Sequence, residues 1–220
     1  MPIKLLIVDD HDLVRSCIKM LLASYDEVEI VGEASNGEEA LANVRLTKPD
    51  VILLDIMMPG LSGVRVLYHL QRTSPQARVI ILTAVDSNAF PRRLLGLGAA
   101  GYITKDIAAN ELVKIIKLVH SGKSYVAPHI AEKIAKIEKN PLMASPFDLL
   151  TNREFEIMIM IISGHKVRYI ATKLCLSSKT ISSHRHTIFT KLGLNSDVEL
   201  TYLAYKNGII DTVKPVLEQD

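Results

Sequence analysis

The first 120 residues alternate two patterns of apolar positions: short β-branched-rich runs, and longer stretches whose apolar residues recur at helical spacing. Ile3–Val8, Val28–Gly32, Val51–Asp55, Ala77–Thr83 and Gly101–Thr104 read as strands. Leu13–Ala23, Gly37–Leu46, Gly63–Arg72, Pro91–Leu97 and Ala108–His120 read as helices, the first through Leu13, Cys17, Met20, Leu21 and Leu22. The strands are apolar almost throughout, which marks a sheet covered on both faces. Five strand–helix units in succession predict an α/β domain on a five-stranded parallel, doubly wound sheet.

From Ser121 the alternation stops. Pro128 suits a helix start, and Ile130, Ile134 and Ile137 make a narrow apolar stripe on a helix ending near Lys139. Asn140-Pro141 and Ser145-Pro146 then break the chain. Beyond them, Leu150-Thr151-Asn152-Arg153-Glu154 signals a new helix, with Thr151 as N-cap and Glu154 as its capping-box partner. That helix runs to Gly164, and others are predicted over Val167–Leu174, Lys179–Leu192 and Asp197–Asn207, with a turn at Leu176-Ser177. The spacing is that of a helix-turn-helix in an all-α, four-helix domain. The expected division is an α/β domain over 1–122, a linker with one helix over 123–147, a helical domain over 148–212 and a tail over 213–220.

Composition changes this picture in one place. A chain of 220 residues with 48% apolar and 23% charged residues is an ordinary globular one of two domains. Its net charge of +2 hides a local imbalance, however. Between Glu156 and Asp197 no acidic residue occurs, while Lys166, Arg168, Lys173, Lys179, Arg185 and Lys191 do, a distribution suited to a polyanion. Cys17 and Cys175 lack metal-ligand or redox spacing and are expected as free, buried thiols of a reducing compartment. No apolar run approaches a membrane span, and the N-terminus has no cleavable signal pattern, so a cytoplasmic protein without membrane contact is expected.

In open parallel sheets ligands bind beyond the carboxyl ends of the strands, where this reading puts Asp9 and Asp10, Asp55, Thr83 and Lys105. Taken singly, these residues have ordinary uses: an Asp caps a turn, a strand-end Thr is common, and Lys105 beside Asp106 is readily solvated. Taken together at four strand ends of one sheet, they point to a site. Three converging carboxylates repel unless a hard divalent cation holds them, and Mg²⁺ suits a site of few carboxylates plus waters. The cation implies a phosphate partner. The Thr83 hydroxyl and Lys105 ammonium complement a phosphoryl group on Asp55, which would be the nucleophile.

Asp9-Asp10, Asp55 with Met58-Pro59-Gly60, Thr83-Ala84, Gly98-Ala99-Ala100-Gly101-Tyr102 and Lys105 resemble a two-component receiver domain, a flavodoxin-like fold. The resemblance implies that Asp55 accepts phosphate from a sensor histidine kinase or its phosphotransfer domain. It implies that Asp10, Asp55 and the Met57 carbonyl bind Mg²⁺, with Asp9 acting through water. Thr83 and Lys105 would bind the phosphoryl oxygens, and Tyr102 would follow Thr83 inward. Many receivers place a cis-proline after this lysine; Asp106 stands here, and a cis bond to a non-proline costs about 2.5–4 kcal/mol, so that geometry does not carry over. Haloacid-dehalogenase-type phosphatases also combine an Asp nucleophile, Thr and Lys on such a sheet. They carry a second Asp two residues after the nucleophile, where this chain has Met57 and hence no general acid for an external substrate. A self-modified switch is expected rather than an enzyme.

On a helical wheel the Lys179–Leu192 helix groups Ile181, Arg185, Ile188 and Leu192, with Phe189 at the edge, as its packed face. Arg185 there is expected in a partly buried ion pair with Glu154. The opposite face carries Lys179, Ser182, Ser183, His186 and Thr190, short or basic side chains suited to a DNA major groove. A solvated face would explain a charge run alone, but not the missing acids and the helix-turn-helix spacing together. His184 is expected to be structural, and Tyr169, Lys166, Lys173 and Lys191 to contact phosphates.

Leu150-Thr151 with Arg153-Glu154, Ile170-Ala171, and Lys179-Thr180-Ile181-Ser182-Ser183-His184-Arg185 with Lys191-Leu192 are similar to the LuxR-type output domain of NarL/FixJ regulators. Ala84-Val85, Phe90-Pro91-Arg92-Arg93, Ser145-Pro146-Phe147-Asp148 and Lys173-Leu174-Cys175-Leu176-Ser177 are similar to the GacA/UvrY group within that family. The resemblance implies base readers at Ser182, Ser183 and His186 on a DNA-binding surface that includes Thr180. It also implies a hybrid sensor kinase as phosphodonor and control of small regulatory RNA genes. In the last helix, Val198, Tyr202 and Tyr205 form one line and Leu200, Leu203 and Ala204 another; one set closes the domain, and the first is assigned to a homodimer formed on phosphorylation. The expected function is a phosphorylation-activated DNA-binding transcription regulator. An RNA- or protein-binding output is the alternative.

Overall fold

The computed structural model describes residues 1–58, 60–84, 87–140 and 144–210. The expected tail at 213–220 lies outside them. The chain forms two compact units: residues 1–84 with 91–133, and the described residues from 134 onward with the segment 87–90. The division falls within a helix of the stretch read as linker.

The first unit is built on β1 (Ile3–Val8), β2 (Val28–Ala34), β3 (Val51–Leu54), β4 (Arg78–Thr83), β5 (Gly101–Thr104) and β6 (Tyr125–Val126). They form one all-parallel sheet in the order β2-β1-β3-β4-β5-β6. Six strands replace the expected five. β6 is two residues long, too short to register as an apolar run, and pairs Gly101 with Tyr125 and Tyr102 with Val126. All four residues of β3 are buried, as a strand covered on both faces requires.

Helices α1 (Asp12–Leu22), α2 (Gly37–Thr47), α3 (Gly63–Thr73), α4 (Pro91–Gly96) and α5 (Ala109–His120) connect the strands. The Asn36 side chain caps α2 by accepting from the Glu39 N–H at 2.9 Å. Strand order reverses at β1: the chain steps to β2 on one side and to β3 on the other. The crevice opened by that reversal lies at the carboxyl ends of β1 and β3, just before Asp9 and Asp55. None of the described peptides is cis, Lys105–Asp106 included.

Helix α6 (Pro128–Lys139) follows, with Ile130 and Ile137 buried. In the second unit Ser145 caps a 3-10 turn at Pro146–Leu149, which buries Phe147. Helices α7 (Asn152–Ile162), α8 (Val167–Lys173), α9 (Ser178–Leu192) and α10 (Asp197–Lys206) complete it. Thr151 and Glu154 form the expected capping box on α7. Buried Phe155, Ile170, Ile181, Ile188, Leu200 and Ala204 make the core. Phe90 is part of this unit: its buried ring meets Phe155 edge to face at 5.5 Å between centroids, and nearby Ser87 Oγ donates to the Asn207 carbonyl at 2.8 Å.

The cysteines are free but not buried as expected: Cys17 is half-buried and Cys175 exposed. Cys175 lies in the turn between α8 and α9 with φ of +52°, not within a helix, so the helical pattern that suggested its burial does not reach it.

Candidate functional site

The end of β3 delivers Asp55 into the crevice with its backbone tied down: the Asp55 N–H donates to the Val8 carbonyl at 2.9 Å, continuing the β1–β3 ladder. Asp55 Oδ1 accepts from the Ile56 N–H at 2.7 Å, with the Met57 N–H at 3.4 Å. The Lys105 ammonium bridges two carboxylates, 2.8 Å from Asp55 Oδ2 and 2.7 Å from Asp9 Oδ2. Asp9 and Asp55 are both buried. Asp9 Oδ1 accepts from the His11 N–H at 2.9 Å, and Arg15 Nη1 donates to the Asp9 carbonyl at 2.6 Å, which fixes the turn from β1 into α1.

Burial pushes the Asp55 carboxyl up to about 6, against the pull of the Lys105 ammonium and the Ile56 N–H. At neutral pH it is therefore mostly ionised while poorly solvated, a state that favours attack on an electrophile. Burial alone would lower the Lys105 pKa, but Asp55 and Asp9 outweigh it and raise the value, keeping the ammonium charged. Thr83 closes β4 and is fully buried; Tyr102, also buried, sits on β5 beside Ile81. The sequence-predicted Asp9, Asp10, Asp55 and Lys105 thus lie together, with Thr83 and Tyr102 on the neighbouring strands.

The donor set fits a divalent cation. Ligand-capable atoms of Asp9, Asp10, His11 and Asp55 lie within 4.8 Å of one another; Asp9 Oδ2 meets the Lys105 ammonium, while the buried Asp10 Oδ1 accepts no hydrogen bond among the described residues. Two participants were missed from sequence. His11 follows acids that alone suffice for a cation, and Arg15 meets Asp9 only through its backbone carbonyl, its other nitrogens facing Asp12 and Glu33.

In the second unit, Lys179, Ser182, Ser183, His186 and Thr190 are all exposed on one side of α9, while Ile181 and Ile188 are buried on the other. Ser177 caps α9, its hydroxyl meeting both the Thr180 N–H (3.0 Å) and the Thr180 hydroxyl (2.8 Å). Arg185 does not pair with Glu154. Its Nε lies 2.8 Å from Asp197 Oδ1 in a partly exposed bridge, and its guanidinium sits over the Phe189 ring at 5.2 Å. Lys191 takes Glu154 instead, at 2.7 Å, so the ammonium assigned to phosphate is already ion-paired within the unit. Of the exposed lysines, Lys173 Nζ lies 5.6 Å from the Tyr169 ring, and Lys166 opens α8 as its N-cap. On α10 Leu200 and Ala204 are buried, whereas Val198, Tyr202 and Tyr205 are 79%, 67% and 60% exposed.

No helix among the described residues is long and apolar enough to cross a membrane. Residues 5–117 match the family described as response regulator receiver domain, and residues 148–204 match bacterial regulatory proteins of the luxR family. The chain is 46% identical over 209 residues to the response regulator GacA of Pseudomonas protegens, covering 95% of this chain and 98% of that protein. It is 41% identical over 208 residues to the response regulator UvrY of Escherichia coli K12, covering 94% and 95%. Among solved structures it resembles RcsB from Salmonella enterica serovar Typhimurium bound to promoter P1flhDC in the presence of the phosphomimetic BeF3⁻. The TM-score is 0.74 at 25% identity, over 94% of this chain and all of that one.

Proposed function

The chain belongs to the two-component response regulators that join a receiver domain to a LuxR-type DNA-binding domain, and within that family's phosphorylation-dependent transcription regulation we propose how its residues divide the work. Asp55 is the acceptor. Its carboxylate attacks the phosphorus of a phosphohistidine on a sensor kinase or its phosphotransfer domain; a P–O bond forms, the P–N bond breaks, and the imidazole leaves and takes up a proton. Burial supplies a poorly solvated nucleophile, and the Lys105 ammonium, already 2.8 Å from Asp55, remains beside the new phosphoryl oxygens as their counter-charge. The Thr83 hydroxyl is the second phosphoryl ligand, and Tyr102 moves inward with it.

Asp9, Asp10, Asp55 and the Met57 carbonyl would hold Mg²⁺, which would supply charge neutralisation for the phosphoryl oxygens. Hydrolysis of the acyl phosphate returns the site to its start, so the receiver turns over only its own modification. Phosphorylation acts by stabilising one of two receiver states, and the protein works in the cytoplasm.

The output is double-stranded DNA. Ser182, Ser183 and His186 read bases, Lys179, Thr180, Thr190, Lys166 and Lys173 contact the backbone, and Val198, Tyr202 and Tyr205 form the face that meets a second copy on a two-half-site operator. The observation that carries the reading is the pairing of Lys105 with both Asp9 and Asp55 at the strand ends of a doubly wound sheet. Mg²⁺-dependent incorporation of phosphate from a small phosphodonor tests it: Asp55→Asn abolishes labelling, and labelling that survives this substitution overturns the assignment.

A further inference from the structure

Three carboxylates at a receiver's strand ends account for a hard cation, but the fourth group brought to this crevice is an imidazole. The Asp9 carboxylate accepts the His11 backbone N–H at 2.9 Å, which folds the residue back over the cluster, and His11 precedes the first turn of α1 in extended backbone. Its Nδ1 then lies 3.2 Å from Asp9 Oδ1 and 3.0 Å from Asp10 Oδ1. Nδ1 is hydrogen-bonded to Asp9 Oδ1 when the imidazole carries its proton there, and the same spacing suits a deprotonated Nδ1 sharing one ion with the carboxylates, since adjacent ligands of an octahedral cation with bonds of about 2.1 Å are separated by about 3.0 Å. Asp10 Oδ1 is buried and accepts no well-aligned hydrogen bond among the described residues; its near neighbour is Nδ1, with which it pairs only if the imidazole is protonated. Half of the imidazole remains open to solvent, leaving room for water ligands.

We propose that His11 Nδ1 is a ligand for borderline divalent cations such as Co²⁺, Ni²⁺ and Zn²⁺ at the phosphoacceptor site, whereas Mg²⁺ is held by the oxygens alone. Mg²⁺ keeps oxygen ligands and its waters, and gains little from an imidazole; cobalt, nickel and zinc bind imidazole well. Residue 11 is therefore a specificity determinant. It makes the receiver a site at which a transition cation competes with Mg²⁺ for the carboxylates that phosphorylation needs. The inference rests on the receiver reading, since it uses the same carboxylates.

The full chain is titrated calorimetrically with Co²⁺ and, separately, with Mg²⁺, in the wild type and in His11→Ala. That substitution keeps the backbone N–H on Asp9. Co²⁺ affinity is expected to fall about tenfold or more with the imidazole gone, while Mg²⁺ affinity changes less than about twofold. In the wild type, Zn²⁺ is expected to shift the His11 Nδ1 resonance and leave the other histidines' nitrogens in place. Unchanged Co²⁺ affinity, or equal losses for both cations, overturns the role of His11. Asp10→Asn separates the two readings: if it leaves both cations bound as in the wild type, the carboxylate site itself is wrongly placed, whatever His11 does.

Discussion

Lys191 Nζ stands 2.7 Å from Glu154 Oε2, tying the last turn of α9 to the first turn of α7. Glu154 is buried and also accepts the Thr151 N–H at 2.7 Å. Burial pushes its carboxyl up, but the Lys191 ammonium and the Thr151 N–H and hydroxyl outweigh that and lower it. Lys191→Met leaves a buried carboxylate short of a partner and is expected to cost about 1–3 kcal/mol in urea unfolding. Arg185→Ala removes a bridge whose two side chains are 37% and 46% exposed, and its cost is expected below about 1 kcal/mol. The opposite ranking would contradict this division.

The stability of the metal-free protein should fall as pH rises from about 4 to about 6. An unfolded Asp ionises near 4, whereas Asp55 in the fold ionises at about 6 because burial disfavours its charge. Within that window the native state holds a proton that the unfolded chain has lost, so the unfolded state gains on it with rising pH, by up to about 3 kcal/mol. Thermal melts with chelator across the window measure the slope. Asp55→Asn should flatten it, and a slope of the same size in that variant would assign the proton elsewhere.

A methyl group at Gly63 would fall on the Asp55 carbonyl oxygen and 2.8 Å from Ile56 Cα, because the Gly63 N–H donates to the Ile56 carbonyl and draws α3 against the turn that follows Asp55. Both obstacles are backbone and cannot rotate away. Gly63→Ala is expected to cost at least about 1–3 kcal/mol and to slow phosphate incorporation from a small phosphodonor. Wild-type melting and labelling would show that the turn gives way without consequence.

For DNA, Lys179→Ala and His186→Ala should differ in kind. The lysine substitution should weaken binding evenly across sequences and reduce the salt slope by about 1. Removal of the imidazole should cost about 1–3 kcal/mol on the preferred operator and little on unrelated DNA. Fluorescence anisotropy at several salt concentrations separates the two. A uniform loss from His186→Ala would make it a backbone contact.

The sheet and the cluster of Asp9, Asp10, Asp55 and Lys105 at its strand ends were legible because their signals are local: an apolar run ends, a carboxylate follows, and parallel topology gathers the ends. The two-residue β6 was not, since its evidence is only the pairing of Tyr125 and Val126 with β5. The packed face of α9 was legible from its period, but the partner of Arg185 was not. Periodicity locates a side chain on its own helix and says nothing of which acid, Glu154 or Asp197, the fold brings across. His11 carried a signal in plain view, an imidazole directly after two acids, but two acids with Asp55 already suffice for Mg²⁺.

Phe155 finds its ring partner in Phe90, a residue that precedes α4, α5 and α6 in the chain. The second unit consequently draws part of its core from a segment far upstream in the chain. A fragment cut before α6, or a chimera that grafts only the LuxR-type segment onto a foreign receiver, would leave one face of Phe155 unfilled. Recombination between relatives of this protein is expected to respect that pairing, with residues 87–90 inherited alongside the helices they help to pack rather than with the strand they follow.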